Sequence, residues 1–420
     1  MSPAIINLFG GGKLKNPPYK THVNRNQSDS QKTAGLIRYS CGILFMALTF
    51  CYLFFLQGEI LAEAQFVYSK GATHYNLLLG AIIASLVLQC VQCVVARVSF
   101  LPPKWHALSY FPSMLMLAIF TDANTDVLVH FSFGSWVWAA PLLLVLYAVS
   151  AFAINRMERP SDAPPPDIRA ELYPNFIILL VSFLIAASIP HTTDVYHYEL
   201  KTERLILEDR YEEAARVGER SLKSSRRLTQ LRMYALSQLG LLPERLFDYP
   251  QYYKSAGLLT ISDTLPYYRL SSQDICRHLG AYSGRTVRNA ARYYEVMLAD
   301  TIYNQHTVDY YLCSLLLERN LSRFRQALPV YYDISGSIPH AVDSLPRAYR
   351  EALLISGNRR YAPEGKVVVG ADTLYTFTDR DFIESYKEYA DLRHSLTDPV
   401  ERTNRTRRAF GNTVWWYVDN

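Results

Sequence analysis

Five apolar runs fill residues 36–190, and the 230 residues that follow contain almost none. A helix needs about 20 apolar residues to cross the roughly 30 Å hydrocarbon core of a bilayer. Tyr39–Leu56, Tyr75–Ala96, Gly134–Ile154 and Tyr173–Ile189 approach or exceed that length, and none has the polar face of a helix on a soluble surface. Trp105–Phe120 is shorter and carries Pro112, which predicts a kinked fifth crossing. The chain therefore divides into a polar arm (1–35), a transmembrane domain (36–190) and a soluble domain (191–420).

Beyond Pro190 the apolar period becomes that of amphipathic helices with short breaks. Val195–Glu208, then Arg210–Ala215 running on to Leu222, has the form of a tetratricopeptide-like pair: an aromatic at the tight turn, small alanines at the helix crossing, and Leu222 closing the second helix. Arg226–Leu239 ends at Gly240, a left-handed cap signal, with Pro243 beyond. Further helices are predicted at Ser272–Tyr282, Thr286–Leu298, Thr307–Glu318, Ser322–Tyr332, Ser344–Ile355 and Asp379–Leu396, with a hairpin or irregular insert at Val367–Phe377. A single pair cannot bury both its apolar faces, so a stack is expected. The fold class is all-α: about five transmembrane helices followed by an α-solenoid.

Net charge of +5 and 50 % hydrophobic residues look ordinary until the halves are separated. Residues 191–420 hold 31 Lys and Arg against 29 Asp and Glu, interleaved, which gives no basic face for nucleic acid. Near the spans the basic residues alternate. Lys13, Lys15, Lys20, Arg25, Lys32 and Arg38 precede the first, only Lys70 follows it, Arg97 and Lys104 follow the second, none follows the third, and Arg156, Arg159 and Arg169 follow the fourth. Basic loops stay cytoplasmic. An odd number of crossings then sends the soluble domain to the other side, the periplasm of a bacterial inner membrane, and the lipid bilayer is the first partner. The first 35 residues lack a secretory signal, and the arm's composition is that of a disordered segment.

Of six cysteines, Cys41, Cys51, Cys90 and Cys93 lie in spans as small apolar side chains, while Cys276 and Cys313 are the pair open to oxidation. The 31 tyrosines include doublets at Tyr252–Tyr253, Tyr267–Tyr268, Tyr293–Tyr294, Tyr310–Tyr311 and Tyr331–Tyr332. Two readings stand: packing between helices, or an aromatic binding face using the first four doublets. In the tail, Arg402, Arg405, Arg407 and Arg408 precede Trp415–Trp416–Tyr417, either a capping helix or a membrane-interface anchor.

Candidate chemistry is sparse. Glu59 and Glu63 follow the first span at four-residue spacing, and Asp122, Asp126 and His130 follow the third at spacings that share one helical face. Such groups suit a divalent cation or a general base. The span interiors hold no ionisable carboxylate or lysine, which argues against ion transport. Gly10–Gly11–Gly12–Lys13 lacks the spacing of a phosphate-binding loop, and no cofactor or metal motif is present.

Leu56–Gln57–Gly58–Glu59–Ile60–Leu61–Ala62–Glu63–Ala64–Gln65, Thr73–His74–Tyr75–Asn76, Tyr110–Phe111–Pro112–Ser113–Met114–Leu115, Ile261–Ser262–Asp263 and Asn412–Thr413–Val414–Trp415–Trp416–Tyr417 carry a resemblance. The chain resembles, over most of its length after residue 35, an uncharacterised family of Bacteroidota multi-pass membrane proteins with a domain-of-unknown-function label. The resemblance implies a membrane anchor with a helical-repeat tail in the cell envelope and brings no catalytic residues. The leading expectation is a scaffold or adaptor whose helical domain binds an envelope protein. The alternative is a polytopic enzyme of glycan or lipid transfer using the outer-loop acids.

Overall fold

The computed structural model describes residues 18–122, 134–157, 168–189, 193–259, 269–270, 272–280, 290–299, 304–334, 342–356, 366–369, 373–377 and 379–420. Side chains are described from Lys32 onward, apart from those of 290–292, 366–369 and 373–376. The chain divides into two compact units, Met1–Thr192 and Thr193–Asn420, each with its own hydrophobic core.

The first unit is built of α1 (Pro18–Cys51), α2 (Gly58–Tyr68), α3 (Leu77–Ser99), α4 (Phe111–Thr121), α5 (Trp136–Met157) and α6 (Ile168–Ser188). A single π turn, Tyr52–Leu56, links α1 to α2, and Asn76 caps α3 by accepting from the Leu78 and Leu79 amides at 3.1 Å each. Among the described residues four stretches are long and apolar enough to cross a membrane: Lys32–Leu56, Leu77–Ser99, Trp136–Met157 and Ile168–Ser188. Their outward faces carry Ile83, Val145, Ile177 and Leu184, each well over half exposed, which suits lipid rather than water.

The fifth predicted span differs. It is a 3-10 helix, Pro103–Tyr110, joined to the eleven-residue α4. Pro112 sits in the first turn of α4, where its missing N–H leaves no bond unmade. Ala107, Ser109, Tyr110, Ser113, Met114, Leu117, Ala118 and Thr121 are all buried, and the segment packs on α1, α3, α5 and α6. Irregular backbone survives at membrane depth only when protein satisfies it. Asn175, wholly buried on α6, does so: its Nδ2 donates to the Pro103 and Lys104 carbonyls at 2.9 and 3.1 Å, and its Oδ1 accepts from the Ala107 amide at 2.7 Å. Ser113 donates to the Leu88 carbonyl at 2.8 Å, and Gln92 to Ser109 at 2.9 Å.

The second unit holds α7 (Asp194–Leu207), α8 (Tyr211–Arg216), α9 (Arg226–Gln238), α10 (Leu242–Arg245), a 3-10 turn (Lys254–Gly257), α11 (Ser272–His278), α12 (Ala290–Leu298), α13 (Gln305–Leu317), α14 (Leu321–Tyr331) and α15 (Arg347–Ser356). A small antiparallel hairpin, β1 (Lys366–Val369) and β2 (Thr373–Thr376), precedes α16 (Arg380–Ser395), α17 (Pro399–Phe410) and α18 (Val414–Asp419). The end of the predicted helix Ser272–Tyr282 (281–282), the start of Thr286–Leu298 (286–289) and the middle of the predicted insert Val367–Phe377 (370–372) lie outside the described residues.

The expected tetratricopeptide pair forms only in part. Ala214 and Ala215 are fully buried at the contact with α7 and α9, as small residues at a crossing should be. The second helix, however, stops at Arg216 instead of reaching Leu222. Val217 is extended (ψ 126°) and Gly218 is left-handed (φ 67°). The freed Val217 carbonyl accepts two bonds from the buried Arg232 guanidinium, at 3.2 and 2.6 Å. A Cβ at position 218 would stand 2.8 Å from Arg232 Nη2, so glycine is required by both φ and space.

Nor does the unit read as an open solenoid, where each repeat touches only its neighbours. Here α10 packs on α13 and α15, and the Arg347 amide donates to Glu244 at 2.7 Å across 103 residues. The tail returns to the core: Tyr417 donates to the Leu317 carbonyl at 2.8 Å, and Trp415 packs among Phe382, Tyr386 and Tyr389. Trp415 and Tyr417 are thus core residues, not membrane anchors. Cys276 and Cys313 are both buried, and no disulfide joins them.

Candidate functional site

The acidic residues of the first unit gather less than their spacing suggests. Glu59 and Glu63 occupy successive turns of α2, the first half-buried and the second only 3 % exposed. Asp122 ends α4 and accepts from the Trp136 indole at 2.8 Å. Thr121 lies within hydrogen-bonding reach of the Tyr52 hydroxyl, which accepts from Gln57 at 3.0 Å, so Asp122 and Glu59 share one end of the unit. Asp126 and His130 lie outside the described residues. Among the described residues no three His, Cys, Asp or Glu side chains converge as metal ligands would.

The tyrosine doublets do not form one face. Tyr293, Tyr294 and Tyr310 are buried in the core of the second unit, with Tyr293 donating to the Cys276 carbonyl at 3.1 Å. Apolar packing, not ligand capture, accounts for these three. Tyr267 and Tyr268 lie outside the described residues. Tyr252, Tyr253 and Tyr311 keep exposed surface.

Tyr252 anchors the most suggestive surface. Its ring is 54 % exposed and its hydroxyl donates to the Leu222 carbonyl at 3.1 Å, beside the exposed Leu222 side chain. Arg407 of α17 reaches the same hydroxyl at 3.4 Å and lies over the Trp416 ring at 5.8 Å from its centroid. Two aromatics, a leucine and an arginine so meet from segments up to 194 residues apart in sequence (Leu222 and Trp416). Arg405 and Arg408 are exposed on the same helix but turn away from Arg407 by its period, and Arg405 pairs with Glu401 at 2.8 Å. The tail arginines and tryptophans were visible in the sequence as a pattern. Their meeting with Tyr252 was not, because only the turn that replaces the end of the predicted second helix brings Leu222 to it.

Among the described residues, the buried acids of this unit all have structural work. Glu203 pairs with Arg227 at 2.9 Å and accepts from the Leu270 amide at 3.0 Å. Glu351 holds Arg347 at 2.8 Å and the Val414 amide at 2.7 Å, fastening α18. Asp309 accepts from the Tyr332 and Tyr349 hydroxyls at 2.5 and 3.0 Å, and Glu199 accepts from Ser225. Burial pushes each of these four carboxyls up, against the pull of its partners.

A pair of imidazoles escaped the sequence reading. His278 and His306 lie with ring centroids 4.3 Å apart, and the buried Ser237 hydroxyl bridges them at 3.1 and 3.3 Å. Burial, with His306 adding to it, pushes His278 down to about 4. The unfolded chain therefore takes up a proton near pH 6.5 that the folded chain refuses until about pH 4. The stability that neutral His278 protects is whole above pH 6.5 and is lost as pH falls through that window. Discounted for the solvent access of a half-buried ring, the loss is about 1–2 kcal/mol. Urea midpoints of the His278→Gln variant and the parent should diverge in this way between pH 7 and pH 4; parallel curves would remove His278 as the cause.

These features fit the class of membrane proteins: a unit with four helices long and apolar enough to cross a bilayer, packed around a broken segment, and a second helical unit with its own core. The chain belongs to the family of unknown function DUF6057, which it matches over residues 41–284 and 284–420. No curated protein and no solved structure matches it.

Proposed function

We propose that the chain is a bacterial inner-membrane scaffold or adaptor whose helical unit, held on the periplasmic side, binds a protein partner in the cell envelope. The surface of Leu222, Tyr252, Arg407 and Trp416 carries this reading. Trp, Tyr and Arg dominate the residues whose truncation costs most at protein interfaces. The Arg407 guanidinium favours a partner segment with Asp or Glu beside an apolar anchor. The structural pairing of the buried acids also supports binding over catalysis, since each is already held in place.

In-cell crosslinking of the full-length chain, followed by mild-detergent purification and mass spectrometry, tests this. A protein companion is expected in stoichiometric amount with the parent. Arg407→Glu reverses the charge at the centre of the surface and should lower its recovery on the order of tenfold or more. A chain that purifies alone, or a companion held equally by Arg407→Glu, defeats the proposal.

A further inference from the structure

A cleft of about 1040 Å³ opens in the first unit between α1, α3 and the 3-10 helix. Its mouth carries Arg38 and Arg97, both exposed, and no carboxylate among the described residues pairs with either guanidinium. Its floor holds His106 and Gln92, 5 % and 3 % exposed. Gln89 donates to Gln92 at 2.9 Å, yet its own buried Oε1 has no donor among the described residues. At Gly42 a Cβ would just touch Tyr110 Oη at 3.7 Å and Gln89 Nε2 at 3.8 Å, so the bare Cα keeps the wall of α1 low here.

The lining changes with depth. Ile43 and Met46 follow Arg38 by five and eight residues, about 7 and 12 Å further along α1. The guanidiniums thus stand at the end of the spans where basic residues collect, and the apolar wall runs inward from them. A free solute anion needs only the first half of this arrangement. A lipid needs both.

We infer that this cleft is a binding site for the headgroup of an anionic phospholipid, with an acyl chain along Ile43 and Met46. Basic pockets between spans on the cytoplasmic side hold anionic headgroups by charge. Arg38 and Arg97 take the phosphate, each able to give it two parallel donors. The unmet Gln89 acceptor suits a headgroup that carries a hydroxyl, such as glycerol. The site is separate from the surface on the second unit and stands or falls without it.

Native mass spectrometry of the full-length chain in mild detergent, titrated with dioleoylphosphatidylglycerol or dioleoylphosphatidylcholine, provides the test. Two guanidiniums predict a preference for the glycerol lipid on the order of thirtyfold. Arg38→Ala with Arg97→Ala should abolish the preference, and both positions are exposed, so the fold should tolerate the change. Gly42→Leu should block retention with both charges in place, while Arg156→Ala, outside the cleft, should leave it intact. Equal retention of the two lipids, or a preference that survives the double variant, overturns the site. Displacement of the glycerol lipid by millimolar inorganic phosphate would assign the guanidiniums to a free anion and overturn the lipid.

Discussion

Glu203→Ala is expected to destabilise the helical unit by about 2–4 kcal/mol, because it takes the ion-pair partner from a largely enclosed guanidinium and the acceptor from the Leu270 amide. Glu203 is 2 % exposed on α7, and Arg227 beside it on α9 is nearly as enclosed. Together they tie α7, α9 and Leu270: Glu203 accepts from the Leu270 amide, and Arg227 donates to the Leu270 carbonyl. Removing the acid alone takes from Arg227 its directly bonded carboxylate, leaving the Glu199 charge nearby, and leaves the Leu270 amide without the Glu203 acceptor. By the usual scaling for a unit of this size, the melting point falls on the order of 10 °C. Replacing both partners by methionine should recover much of the loss, since two charges no longer need desolvation. Thermal and urea unfolding of residues 193–420, which carry their own core, measures this. An alanine variant within about 1 kcal/mol of the parent would mean that water reaches Arg227 and the pair is a surface contact in effect.

The parts of this architecture that were legible in the sequence are those with a local cause. Four long spans could be read because lipid demands an unbroken apolar stretch. α13 and α14 could be read because Asn304 and Asn320 cap them and the intervening turn is short. Gly240 announced the end of α9 by its left-handed backbone (φ 69°). The failures have long-range causes. α8 stops early because the Val217 carbonyl has a better partner in Arg232, fifteen residues on. Tyr417 leaves the surface because Leu317, a hundred residues earlier, offers its carbonyl inside the core. His278, His306 and Ser237 meet across as many as 69 residues, and no spacing rule links them. Of the candidate sites, the acids near the first span were nameable as types but their company was not. The Tyr252 surface depended on a turn that the helical period concealed.

Alkaline phosphatase fused after Asn420 is expected to be active in a bacterial host, and a fluorescent-protein fusion at the same point dark, because the proposed periplasmic placement of the helical unit requires a fifth crossing beside the four long helices. The four long helices alone would return the C-terminus to the side of the arm. The outcome turns on the broken segment 103–121. Eight residues at about 2.0 Å each and eleven at about 1.5 Å each give a contour of roughly 32 Å, which the kink at Trp105 shortens, so the segment just matches a core of about 30 Å. Its modest apolar length is no obstacle, since it is buried among α1, α3, α5 and α6 and needs no lipid-facing surface. Charge gives the same answer independently. If 103–121 turned back, Arg156, Arg159 and Arg169 would lie opposite the basic arm, and the Lys- and Arg-free stretch of sequence 122–134 would lie beside it. Both placements oppose the rule that keeps basic loops inside. A fusion after Met157 supplies the second reading, inactive as phosphatase if 103–121 crosses and active if it returns. Phosphatase activity at Met157 with none at Asn420 would fold the segment back, put the helical unit in the cytoplasm and withdraw the envelope partner with it.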